Sequence, residues 1–128
     1  MTRDALEKTE ATKIILVVED ELDLLEVTRF ALECEGFGVE TARNGQEALE
    51  LLRAGARPGL VLLDLMMPVM NGWELLDEIA RTPSLQGIPI VVLTAATSAD
   101  VHGAAAILHK PLELGSLIEI VEHHTRSG

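Results

Sequence analysis

The chain has 128 residues, enough for one domain around a single core, and hydrophobic residues make up 48% of it, which argues against intrinsic disorder. A formal net charge of −11 argues against direct nucleic-acid binding, which needs a basic face to neutralise phosphates. The longest apolar stretch falls far short of a bilayer span, no signal-peptide pattern opens the chain, and a single cysteine, Cys34, cannot form an internal disulfide; the expectation is a cytoplasmic chain with no membrane insertion.

Residues 1–12 are polar without a sustained pattern and read as an N-terminal tail, leaving 13–126 as one domain. Ile14–Val18 is a continuous apolar run, the mark of a strand buried on both faces. Glu21 to Glu35 reads as a helix with Leu22, Leu25, Phe30 and Leu32 among its apolar positions, and Gly36 ends it. A short second strand follows at 38–42. Asn44 is a candidate N-cap for a helix over 45–54, with Glu47 three residues on completing a capping-box pattern. The third strand spans 59–63, a loop containing Pro68 follows, and a third helix runs over 72–80. Pro83 to Gly87 is rich in breakers, 89–93 is the fourth strand, and 95–104 holds at most a short helix. A fifth strand at 105–109 and a last helix from Glu113 to about His124 complete the chain.

Strand and helix alternate five times, which implies an α/β fold with parallel strands and helices on both faces. With right-handed crossovers, the expected architecture is a flavodoxin-like (βα)5 three-layer sandwich of strand order 2-1-3-4-5, its fourth helix shortened. That order puts strands 1 and 3 side by side.

The strand ends carry the chemistry. Strand 1 runs into Glu19-Asp20, strand 3 into Asp64, strand 4 into Thr94, and strand 5 into Lys110-Pro111. Four buried strands would deliver three carboxylates, a hydroxyl and an ammonium to one sheet edge, where open parallel sheets gather their chemistry. The set suits a divalent cation plus a phosphoryl group. Singly each residue has a plainer use: Asp64 as a turn cap, Thr94 as a strand-end residue, Lys110 as a solvated charge, Glu19-Asp20 as the N-cap region of a helix. Their joint order at strand ends is what carries the reading.

In these positions, and in Met67-Pro68-Val69-Met70-Asn71-Gly72, Thr94-Ala95 and Lys110-Pro111, residues 13–125 resemble the receiver domains of two-component response regulators, the CheY-like domains. The resemblance implies that Asp64 accepts a phosphoryl group from a partner sensor histidine kinase or histidine phosphotransfer protein. It implies Mg²⁺ held by Asp20, Asp64 and the backbone carbonyl of Met66, with Glu19 acting at the same ion through water; Mg²⁺ keeps several waters, so few protein ligands suffice. Lys110 and Thr94 would contact phosphoryl oxygens. The Lys110–Pro111 bond would be cis. Such a chain is no enzyme beyond its own phosphorylation and dephosphorylation, the latter tuned by the flanking Met66 and Ala96. It would act on a downstream protein target as a stand-alone or excised receiver.

Two departures from the family stand out. The strand 5 position that usually carries Tyr or Phe holds Ile107, which cannot make the family's ring swing. The stretch from Thr94 to Lys110 is shorter than usual, so 95–104 has room for only one or two helical turns; phosphorylation would order this loop instead of moving a helix. These departures keep open a degenerate receiver that binds proteins without phosphate. A phosphatase of the haloacid-dehalogenase type would need a second aspartate two residues after Asp20, where Leu22 stands. His102, His109, His123 and His124 lack metal-ligand spacing, and Trp73 reads as packing at the start of the third helix.

Overall fold

The run Ile14–Val18 forms β1, and α1 (Leu22–Cys34) follows it after a three-residue turn. Next come β2 (Gly38–Ala42), α2 (Gly45–Arg53), β3 (Leu60–Asp64), α3 (Gly72–Ala80), a 3₁₀ turn at Pro83–Leu85, β4 (Ile90–Thr94), β5 (Ala106–His109) and α4 (Leu114–Thr125). The computed structural model describes residues 13–95 and 101–125. The tail expected over 1–12, and residues 96–100 of the stretch 95–104 expected to hold at most a short helix, Ala96 among them, lie outside these. Val101 to Ala105 are bends and irregular backbone.

All four strand pairings are parallel, in the order β2-β1-β3-β4-β5. Side chains alternate across the strands. Leu16, Val18, Val61, Leu63 and Val92 face Ala48, Leu49 and Leu52 of α2 and Leu75, Leu76 and Ile79 of α3. Ile15, Val17, Leu60, Leu62, Val91 and Leu93 face Leu25 and Leu32 of α1 and Leu117 and Val121 of α4. The molecule is therefore the three-layer sandwich expected. Among the described residues no helix is long and apolar enough to cross a membrane.

Helix α1 ends as its sequence implies. Gly36 takes φ +95°, Phe37 N–H donates to Leu32 O at 3.1 Å and Gly36 N–H to Glu33 O at 3.0 Å, the paired bonds of a Schellman turn.

Three expectations need correction. β5 is not a buried strand: it lies at the sheet edge, and Ala106 to His109 alternate between half-buried and exposed. Phe30 and Leu22 point outward from α1, which keeps Leu25, Thr28 and Leu32 inside. Asn44 does cap α2 by accepting the Glu47 N–H at 2.8 Å, but the Glu47 carboxylate accepts from Arg43 N–H and not from Asn44. The reciprocal capping box sits instead on α3, between Asn71 and Glu74.

Candidate functional site

The register between β1 and β3 aligns Val18 with Leu63, so the residues that follow, Glu19 and Asp64, come out beside each other at the carboxyl edge. One carboxylate oxygen from each of Glu19, Asp20 and Asp64 lies within 4.8 Å of the other two. Glu19 and Asp64 are buried, at 1% and 3% exposure, and Asp20 is half-buried. Backbone donors help hold two of them: Glu21 N–H donates to Glu19 Oε2 at 3.2 Å, and Met66 N–H to Asp64 Oδ1 at 3.3 Å.

Lys110 reaches this cluster from the end of β5. Its N–H donates to Thr94 O at 2.8 Å, which extends the β4–β5 ladder by one bond. Its Nζ stands 3.3 Å from Glu19 Oε1 and 3.4 Å from Asp64 Oδ2. The Lys110–Pro111 peptide is cis. Thr94, at the end of β4, is fully buried. Ile107 pairs with Val92 across β4 and β5 and is 38% exposed. In the loop after β3, Met66 is exposed, Met67 is turned into the core and Met70 is half-buried.

Burial, and next the charge of Asp64, push the Glu19 carboxyl up from 4.5 to about 7. Burial also works against the charge on Lys110, but the attraction of Asp64 and Glu19 outweighs it and holds the ammonium above the usual lysine value. The site thus has more negative charge than one ammonium offsets.

The description of the response regulator receiver domain matches residues 15–122. The chain belongs to the response regulator receiver family. Relatives include the transcriptional regulatory protein CpxR homolog of Haemophilus influenzae, 47% identical over 81 residues, covering 63% of this chain and 34% of that protein. An uncharacterized 14.6 kDa protein of Leptolyngbya boryana is 36% identical over 123 residues, covering 91% of this chain and 93% of that one. Among solved structures, the chemotaxis response regulator CheY4 of Vibrio cholerae superposes with a TM-score of 0.80 at 28% identity, covering 88% of this chain and 98% of that one. The receiver therefore spans about a third of the CpxR homolog's length and nearly all of the Leptolyngbya protein's.

The acidic cluster fits the Mg²⁺ site of a receiver. Its donors are all oxygen, which a hard cation prefers, and three carboxylates so close together repel until a divalent ion sits among them. Sequence reasoning brought Glu19, Asp20, Asp64, Thr94 and Lys110 to one edge, and the fold brings them there. It missed the direct pairing of Lys110 with Glu19. Nothing in the strand order announces it, because β5 and β1 are separated by two strands; the reach of a lysine and a glutamate closes the gap.

Proposed function

We propose that this receiver is a phosphorylation-driven switch whose acceptor is Asp64. The observation that carries the reading is the convergence of Glu19, Asp20, Asp64 and Lys110 at one end of the sheet, with Asp64 in ion-pair reach of the ammonium. An oxygen of the Asp64 carboxylate attacks phosphorus in line; the new O–P bond forms as the bond to the donor breaks, giving an acyl phosphate. Asp20, Asp64 and the Met66 carbonyl, with Glu19 acting through water, would hold Mg²⁺, which would supply positive charge to offset that on the transferring group. Lys110 exchanges its carboxylate partners for a phosphoryl oxygen, and the Thr94 hydroxyl donates to another.

The donor in this reading is a sensor histidine kinase or a histidine phosphotransfer protein, and the product state is recognised by a downstream protein. Ile107 takes the place of the family's aromatic; its aliphatic side chain has no ring to swing, so transmission in this reading proceeds without that step.

The test is intact mass after incubation with acetyl phosphate and MgCl₂. One added phosphoryl group is expected, absent in Asp64→Asn and absent without metal. If neither an adduct nor beryllofluoride binding is seen, Asp64 is a structural acid and the chain is a phosphate-independent protein-binding module.

A further inference from the structure

The loop from Leu65 to Asn71 is held from outside its own βα unit. Gly72 N–H donates to Leu65 O at 3.0 Å and closes the loop's base, and Met67 is buried beneath it. At the far end, Met70 O accepts the N–H of Gly45 at 2.9 Å. Gly45 is buried and is the first helical residue of α2, where the backbone N–H has no partner within the helix. The approach leaves no room for a side chain. A Cβ on Gly45 would stand 2.6 Å from Met70 O and 2.8 Å from Met70 Cγ. The first of these atoms is backbone and cannot swing away. Between the closed base and this clamp, Val69 holds φ +71°, a conformation that β-branched residues rarely adopt and that persists only where the surroundings over-determine it.

We propose that Gly45 is a positioning residue for the acceptor site: by clamping Met70 O it fixes the path of the 65–71 loop and so the place of the Met66 carbonyl. This rests on the reading of Met66 as a metal ligand. Gly45 touches neither metal nor phosphoryl group. It acts at one remove, as partners that orient metal ligands do.

The test is an MgCl₂ titration of the full chain followed by two-dimensional amide NMR. In the wild type, the Gly45 amide resonance shifts along with Met66 and Met67 as Mg²⁺ binds, because its acceptor belongs to the loop. In Gly45→Ala, affinity falls about tenfold, and the Met66, Met67 and Met70 amides exchange faster in metal-free protein. Adding Val69→Gly to Gly45→Ala lets the chain absorb the displacement at residue 69 and returns affinity to within about threefold of wild type.

A Gly45 resonance that stays fixed while Met66 and Met67 move overturns the clamp, and this holds even if Gly45→Ala does not fold. So does a folded Gly45→Ala that binds as tightly as wild type. A loss that Val69→Gly fails to restore assigns the effect to α2 itself and overturns the proposal as well. A wild-type chain that binds no Mg²⁺ overturns the acceptor-site reading, a failure separate from these.

Discussion

β3 and β5 each bring a functional group to the same sheet edge, yet they are built differently. Every residue of β3 is buried, and the strand is paired on both sides. β5 has four residues, one neighbour, and alternating exposure. Asp64 is therefore placed by the core: two strands and two helical layers fix it before any charge is considered. Lys110 is placed by one backbone bond to Thr94 and by its ion pairs with Glu19 and Asp64. The acidic half of the site is set by hydrophobic burial, and the basic half by attraction to the acidic half. A strand with little packing of its own can reposition its lysine when the charge beside it changes.

The largest effect that would break this contrast is in stability. Leu62, fully buried at the centre of β3, lies between Val17 of β1 and Val91 of β4. Leu62→Ala removes that packing and should cost about 2–5 kcal/mol in urea unfolding. Ile107→Ala on β5, already partly solvated, should cost less than about 1 kcal/mol. Equal losses would mean that β5 is as firmly packed as β3. Next comes Lys110→Ala. Losing a preset cation at the transferring group should slow phosphorylation by acetyl phosphate about a hundredfold, read by intact mass against time. The carboxylates stay where the core holds them, so Mg²⁺ binding should survive.

The same contrast explains what could be read in the sequence. Ile14–Val18, 38–42 and 72–80 carry the bounds expected of them, because continuous apolar runs and Asn or Gly punctuation mark them locally. Exposure of β5 was not legible: Ala106, Ile107 and Leu108 look like a buried run, and only the strand order puts them at an edge. Asn44-x-x-Glu47 and Asn71-x-x-Glu74 are the same pattern with different outcomes. Asn71 enters its helix at φ −80° and Asn44 at φ −162°, which turns the backbone N–H of Asn44 away from its glutamate. The acidic cluster was legible because strand ends and strand order suffice to assemble it. The Lys110–Glu19 pair and the Gly45–Met70 contact were not, since each depends on side-chain reach or on loop path.

A smaller effect separates the two halves of the site by pH. The Glu19 carboxyl sits at about 7 in the folded chain against 4.5 ordinarily, raised first by burial and then by Asp64. A folded value above the unfolded one means that the group favours folding below pH 4.5 and that this contribution is lost as pH rises through 7. Metal-free protein should therefore lose stability between pH 5 and 8 by up to a few kcal/mol, and Glu19→Gln should flatten that slope. Mg²⁺ should stabilise the wild type more at pH 8 than at pH 5. A slope unchanged in Glu19→Gln would place the burden on other groups.

The smallest predicted difference concerns the caps. Asn71→Ala removes the bond from Glu74 N–H to the Asn71 side chain and leaves Glu74 bonded to the backbone N–H of residue 71; Asn44→Ala removes the matching bond from Glu47 N–H at the start of α2. Each should cost on the order of 1 kcal/mol in urea unfolding, and the two caps differ in how each asparagine couples to its glutamate. A double-mutant cycle resolves the difference better than either single change. Asn71 with Glu74 should couple, since each side chain satisfies a backbone donor at the other residue. Asn44 with Glu47 should couple less, because Glu47 serves Arg43 N–H and loses nothing when Asn44 is truncated. Equal coupling at both sites would mean that the extended entry of Asn44 relaxes in solution to the box its sequence suggests. Gly45 would then start its helix from a different path, and the contact with Met70 O would have to move with it.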